Sequence, residues 1–345
     1  MTGGNDKNSR SEKSSKKPGR ETILSGMQPT GSLHIGNLEG ALTNWVRLQE
    51  SSSFFACIVD LHALTADWKN PKVLKDRIFQ MTVDFLAAGL DPDKCAIFVQ
   101  SEVKEHAELH LIFSMLISVP TLIRLPTYQE KKDTLDSYGF LGYPVLQAAD
   151  ICLYNADKVP VGKDQEKHIW MANDLAKRFN NTYRRVFKEP EALIPEIPLI
   201  LGADNRKMSK SYDNHIPFEY TEKQTEKRIK SYYTDPEKVR KGDAGHPEGC
   251  PVFLMHRVYS GDAENEIAPP CRTGELGCVD CKTLLSRNLN NALVPIRDKR
   301  VELLKQPDFV WDVLSVGAGK ARARAENVMD KVRAAMKMNY RGKRS

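Results

Sequence analysis

From Thr22 onward, short apolar runs alternate with segments of helical period, and this rhythm narrows the fold more than any other feature of the chain. TILS is followed by a helical pattern after Leu33, FFACIV by one from about Pro71, and AIFVQ occupies 96–100. A strand, a covering helix and a second strand fit together as a parallel βαβ unit, so the pattern predicts an α/β domain on a parallel sheet. The 71–88 helix is well marked, with Asn70 as cap, Pro71 in the first turn, Leu74, Ile78, Met81 and Phe85 on one face, and Gly89 at its end. Another helix is expected to begin at Asp164 and to carry Ile169, Ala172, Ala176 and Phe179 along one side. A further strand at 197–201 leads into a polar loop at 202–214, after which strand signals stop. The domain change is therefore placed near residue 215.

The chain has 345 residues, 41% hydrophobic and 28% charged, enough for two domains with a core that needs no disulfide staples. No apolar run approaches the roughly 18 residues of a membrane span, and the N-terminus lacks the apolar stretch of a signal peptide, so a soluble, cytoplasmic protein is expected, with no membrane contact. Residues 1–20 offer almost nothing to bury and read as a flexible basic tail. They hold six Lys and Arg against two acids, and residues 320–345 hold nine against two. Basic ends on an otherwise acidic body suit a phosphate backbone, and a solubilising tail reads equally well. An odd count of seven cysteines argues against a disulfide framework. Cys57, Cys95 and Cys152 lie in apolar runs and read as core. Cys250-x20-Cys271-x6-Cys278-x2-Cys281 gathers four soft ligands, which suit tetrahedral zinc or an iron–sulfur cluster.

Chemistry concentrates in two short motifs. The first strand runs into SGMQPTGSLHIGN at 25–37, where a Gly/Pro-rich turn delivers His34-Ile35-Gly36-Asn37 to a helix start. The N–H groups and positive dipole end of that helix suit a triphosphate, His34 and Asn37 add donors, and Gly36 lets a flat base approach the backbone. The second motif, Lys207-Met208-Ser209-Lys210-Ser211, follows the 197–201 strand. Its lysines and hydroxyls, on a mobile loop, can close on charge developing at phosphate. There is no GxxxxGK[ST] and no GxGxxG, so the phosphate site is built from these two elements. In YPVLQAAD at 143–150, Tyr143, Gln147 and Asp150 fall at i, i+4 and i+7 and share one helix face.

With these residues the chain resembles the class I aminoacyl-tRNA synthetases, HIGN standing for the HIGH signature and KMSKS standing unaltered. Asparagine at position 37 is similar to the tryptophanyl subfamily, as are SGMQPTG, GxDQxxH at 162–168 and GELGCVDCK at 274–282. The resemblance covers nearly everything from residue 22 to the C-terminus. It implies a Rossmann-like catalytic domain at 21–215, an all-helical anticodon-binding domain at 216–345, and a homodimer. It also implies a reaction in which tryptophan attacks the α-phosphate of Mg2+-bound ATP and the adenylate then passes to tRNA(Trp). Charge stabilisation falls to His34, Asn37, Lys207 and Lys210. The nucleotide is expected to meet Gln28, Thr30 and Gly36 on the first turn, Gly162 and Asp164 in the middle, and Met208, Ser209 and Ser211 on the KMSKS loop. Gly26, Gln28 and Gln147 are expected to line the tryptophan side, Asp150 to accept from the substrate ring, and Tyr143 and Gln165 to hold its ammonium. For the four late cysteines the resemblance favours a [4Fe–4S] cluster, with zinc second. Three other readings stay open. A tyrosyl-specific enzyme shares the Tyr143–Asp150 spacing, a small-molecule adenylyltransferase shares the HIGN-like turn, and a non-catalytic paralogue would bind RNA or protein.

Overall fold

The computed structural model describes residues 20–135, 137–162, 166–194, 200–240 and 242–340. The basic tail up to residue 19 and the basic run at 341–344 lie outside the described residues. Five strands, β1 (Thr22–Met27), β2 (Ser53–Ile58), β3 (Cys95–Val99), β4 (Lys158–Pro160) and β5 (Glu191–Leu193), form one parallel sheet in the order β3-β2-β1-β4-β5. Ile23 of β1 stands opposite Phe54 on one side and Lys158 on the other. The chain winds outward from β1 to β3 and then returns to the far side of β1. The order reverses between β1 and β4, and a crevice opens there beyond the carboxyl ends of the strands.

The helices follow in chain order. α1 (Ile35–Asn37) continues through a π turn at Leu38–Leu42 into α2 (Thr43–Ser51), and α3 (Asp60–Asp67) and α4 (Leu74–Ala87) complete the first crossovers. α5 (Glu105–Ser114), α6 (Val119–Ile123), α7 (Pro126–Lys131), α8 (Tyr138–Leu153) and α9 (Glu166–Thr182) come next. The last third is α10 (Glu222–Lys230), α11 (Pro251–Tyr259), α12 (Ala263–Glu266), α13 (Ala268–Arg272), α14 (Cys278–Leu304) and α15 (Pro307–Ala335). The expected alternation is present, with two refinements. The 71–88 helix opens as a 3-10 turn at Pro71–Val73, and Asn70 bonds Asp67 rather than capping it. The strand read at 197–201 lies mostly outside the described residues. Its last residue, Leu201, pairs antiparallel with Lys207, and the fifth strand of the sheet is Glu191–Leu193.

Both faces of the sheet are covered, which is why its strands read as near-continuous apolar runs. Side chains alternate between faces. Ile23, Phe54 and Ile97 pack with α2, α4 and α14, while Leu24, Cys57 and Phe98 pack with α5, α8 and α9. Cys57, Cys95 and Cys152 are buried in these cores. α14 runs through Pro295 as one helix, with Leu285, Leu289 and Leu293 fully buried.

α15 returns to the sheet and covers β3, the edge strand. Val310, Val313 and Leu314 join one core and Ala318, Ala321 and Ala325 the other. At the crossing stands Gly317, where a Cβ would lie 1.8 Å from the Ile97 carbonyl oxygen. Gly317→Ala is therefore expected to destabilise the fold by more than about 2 kcal/mol, since backbone rather than a pliable side chain is in the way. Gly319, two residues on, faces open space. Gly319→Ala should be neutral or stabilising by up to about 1 kcal/mol. Paired denaturation curves check both, and equal midpoints would refute the close crossing. The basic residues of α15 also work inside the chain. Lys320 donates to Pro92 O, Arg322 to Glu102 O and Arg324 to Tyr154 O, while Arg333 pairs with Glu108.

Candidate active site

The two signature motifs meet because the backbone on either side of them pairs. Phe218 N–H donates to Leu33 O at 3.0 Å and Ile35 N–H to Ile216 O at 3.1 Å, forming an antiparallel bridge between His34 and Pro217. The KMSKS loop is thereby carried to the mouth of the first turn. Buried Asn214 organises the loop: its Nδ2 donates to Asp204 Oδ1 (2.7 Å) and Lys207 O (3.1 Å), and its Oδ1 accepts from Ser209 N–H (2.7 Å). Met208 turns into the core, Lys207 stays exposed, and Ser209 Oγ bonds Ser211 Oγ at 2.8 Å. A Cβ at Gly36 would lie 3.0 Å from the His34 ring and 3.3 Å from Met208, so this glycine serves the contact between the motifs as well as any base above it. At the start of α1, which runs on through the π turn into α2, the Ile35 N–H is already bonded to Ile216 and is not among the N–H groups left for a ligand.

Donors nevertheless converge on this mouth. Burial first, then the nearby His215 and Lys210, push the His34 imidazole down to about 3, so at neutral pH it is uncharged. Its ring meets His215 edge-on at 5.5 Å, and the Nδ1 atoms of both are buried with no partner among the described residues. Buried polar atoms of this kind suit an absent ligand. His215 carried no motif in the sequence, and only the fold identifies it. Asn37 Oδ1 accepts the His34 N–H at 3.1 Å, which leaves its amide end to donate. Lys210 Nζ reaches back to Gly31 O (2.8 Å) and Thr30 Oγ1 (3.4 Å), bridging loop and turn, and burial lowers its ammonium to about 8.

Beside this mouth lies a cavity of about 360 Å³ at the carboxyl ends of β1 and β4. Gly26 and Gln28 line it from β1 and its turn, and Tyr143, Gln147 and Asp150 from α8, on the single face expected from their spacing. A Cβ at Gly26 would come within 2.9 Å of Val59, so only glycine leaves that wall open. Asp150, 4% exposed, lies at the floor. It accepts from His62 Nε2 at 2.8 Å, from Gln100 Nε2 at 2.8 and 2.9 Å, and from His106 Nδ1 at 2.6 Å, and His106 Nε2 in turn meets Tyr154 OH at 2.9 Å. Burial pushes the Asp150 carboxyl up, but the hydrogen bonds and charge of His106 and His62 outweigh it and hold the group below the usual carboxylate range. The result is an ionised acceptor in a cavity of mixed polar and apolar lining. His62, Gln100 and His106 were not read from the sequence. A signal existed, since His62 and Gln100 each sit just past the end of a strand, where such sheets carry their sites. Gly162 is exposed just after β4. Asp164 and Gln165 lie outside the described residues.

A second cavity, of about 30 Å³, is lined by Cys250, Cys271, Cys278 and Cys281 together with Lys238 and Lys282. Among the described residues no group of three or more His, Cys, Asp or Glu stands in ligating geometry. Burial, then the neighbouring cysteines, push the Cys281 thiol up to about 12, and burial likewise raises Cys250 and Cys271.

Comparison with known proteins agrees with this architecture. Residues 16–294 match the family described as tRNA synthetases class I (W and Y). The chain is similar to the tryptophan-tRNA ligase of Thermotoga maritima, with 48% identity over 326 residues that span 92% of this chain and 99% of the relative. It is 39% identical to that of Aquifex aeolicus, again spanning 92% and 99%. Among solved structures, the tryptophanyl-tRNA synthetase from Campylobacter jejuni complexed with ADP and tryptophan superposes with a TM-score of 0.84 at 36% identity, over 92% of this chain and 99% of that one.

Proposed function

Since the chain belongs to the class I aminoacyl-tRNA synthetases and is a tryptophan-tRNA ligase, we propose that the cavity over Asp150 binds the amino acid and that the mouth between HIGN and KMSKS binds Mg2+-ATP. ATP with Mg2+, tryptophan and tRNA are the substrates that membership implies. The carrying observation is adjacency: a carboxylate-floored cavity opens next to His34 and His215, whose imidazole pKa values burial lowers, to Asn37 and to a bridging lysine. Tryptophan enters with its indole N–H toward Asp150 and its carboxylate toward the mouth, where it attacks the α-phosphate. The terminal ribose hydroxyl of tRNA then attacks the adenylate carbonyl. No protein nucleophile is needed. Alignment and fixed donors supply the catalysis. Gln28, Thr30, Gly36, Gly162, Asp164 and the KMSKS residues hold nucleotide, and Tyr143 and Gln165 hold the ammonium.

Amino-acid-dependent ATP–pyrophosphate exchange tests this reading. Exchange with tryptophan and none with tyrosine or phenylalanine is expected. Exchange driven by tyrosine would transfer the Asp150 cavity to a phenol.

Residues 216–345 are taken as the part that reads the anticodon, with α15 tying it to the catalytic sheet. The four cysteines are read as candidate ligands of a [4Fe–4S] cluster, with zinc second, because all four line one cavity beside two lysines that would balance thiolate charge, although among the described residues they do not stand in ligating geometry. Burial raises the Cys250, Cys271 and Cys281 thiols, so a cation is what would draw them into thiolate form. Its contribution would be structural, since none of the four cysteines lines the cavity over Asp150. Iron and acid-labile sulfide in the anaerobically purified protein support the cluster, zinc alone supports the second choice, and neither removes both. A homodimer is supported by the exposed Leu111 on α5, Met115 just after it and Val119 at the start of α6, and a monomeric mass in solution would remove it. No helix among the described residues is long and apolar enough to cross a membrane. This accords with a cytoplasmic enzyme, which cell fractionation checks.

A further inference from the structure

The turn leading into HIGN is held at three consecutive residues by three separate anchors. Gly31 O accepts from Lys210 Nζ at 2.8 Å, Ser32 Oγ donates to Glu219 Oε2 at 2.7 Å, and Leu33 N–H donates to Asp84 Oδ2 at 2.7 Å. Two of these anchors are carboxylates, and Arg300 of α14 faces both. Its Nε donates to Asp84 Oδ1 at 2.7 Å, and its Nη2 lies 3.7 Å from Glu219 Oε2 while donating to Gln80 Oε1 at 2.7 Å. Asp84 is fully buried and Arg300 is 8% exposed. A buried carboxylate keeps its charge only when paired, and the partner here comes from 216 positions along the chain. Leu33 is one residue before His34, so the direction of its N–H fixes where the HIGN donors point.

We propose that Asp84 and Arg300 are positioning residues for adenylate formation: Arg300 fixes Asp84 and Glu219, and through them the 31–33 turn that aims His34 and Asn37 at the ATP phosphates. The inference rests on the reading of HIGN as the phosphate site. Neither residue touches substrate. Their effect is on alignment, and a misplacement of about 1 Å costs on the order of a hundredfold in rate.

The test compares Arg300→Met, Arg300→Lys and the double variant Asp84→Asn with Arg300→Met, using ATP–pyrophosphate exchange normalised to adenylate-competent sites. Arg300→Met should lower kcat about 10- to 100-fold while leaving the KM for tryptophan unchanged. The double variant should recover much of that loss, because an amide still accepts the Leu33 N–H and no buried charge is stranded. A pH profile separates alignment from mere stability. Facing Asp84 are Arg300 from α14, Glu219 from the segment after KMSKS, Lys210 from the loop and the uncharged Gln80. Burial already raises the Asp84 carboxyl and Arg300 opposes it. Without Arg300 the carboxyl takes up a proton as pH falls, and the neutral acid, like the amide, still accepts the Leu33 N–H without a stranded charge, so the rate of Arg300→Met should fall as pH rises, and the double variant should lose that dependence. Wild-type kcat at every pH in folded Arg300→Met overturns the proposal. Should that variant fail to fold, Arg300→Lys carries the test, with an intermediate kcat loss expected and an unchanged kcat overturning it. His34→Ala is measured alongside. If it keeps full exchange, the phosphate-site reading fails; if it is inactive while the Arg300 variants match wild type, only the positioning proposal fails.

Discussion

Replacing Lys210 by alanine is expected to lower the kcat of ATP–pyrophosphate exchange by about a hundred- to a thousandfold while tryptophan affinity stays within about twofold. The ammonium bridges the KMSKS loop and the Gly31 turn, and it lies beside neutral His34, so it is the cation best placed at the mouth. Its charge matters most when negative charge builds on the α-phosphate and the leaving pyrophosphate. The neighbouring cavity proposed for tryptophan is not lined by Lys210. Equilibrium binding of tryptophan, measured beside exchange, separates the two effects. Equal losses in both would mean that Lys210 braces the site and does not stabilise the transition state. The same residue sets a pH limit. Burial lowers its pKa to about 8, so the charged form prevails below that value and is lost as pH rises through it. kcat/KM for ATP should therefore fall above about pH 8, and the fall should vanish in Lys210→Ala.

Asp150→Asn is expected to collapse amino-acid selectivity. Phenylalanine brings the buried Asp150 carboxylate no ring donor to join those of His62, Gln100 and His106, so it carries a penalty beyond the loss of apolar fit. An amide removes that penalty and turns one of its own N–H groups toward His62, Gln100 or His106, so discrimination should drop to about 10- to 200-fold, the range of apolar fit alone. Mispaired donors should also cost about 1–3 kcal/mol of stability. The measurement is the ratio of kcat/KM for tryptophan over phenylalanine, with a denaturation curve on the same protein. Lost stability with an unchanged ratio would make Asp150 the hub of a structural network and place indole recognition elsewhere.

The sequence by itself determined what local chemistry can carry. Alternating apolar runs specified strands buried on both faces, and the spacing of Tyr143, Gln147 and Asp150 put them on one face of α8. HIGN and KMSKS declared themselves because backbone turns and charge patterns are written in adjacent residues. Cys57, Cys95 and Cys152 were legible as core for the same reason. Other features depend on contacts between residues far apart in the chain, which no local pattern encodes. The bridge of residues 33–35 to 216–218 brings the motifs together, and the shell of His62, Gln100 and His106 keeps Asp150 charged. The reach of Arg300 to Asp84 and the crossing of Gly317 over Ile97 belong to the same class. So does the use of α15's arginines, which composition offered to phosphate and packing turned toward the chain's own carbonyls and Glu108. A charge pattern records which groups are present, while the partner each one finds is set by which surfaces the fold presses together, and only the tertiary structure decides that.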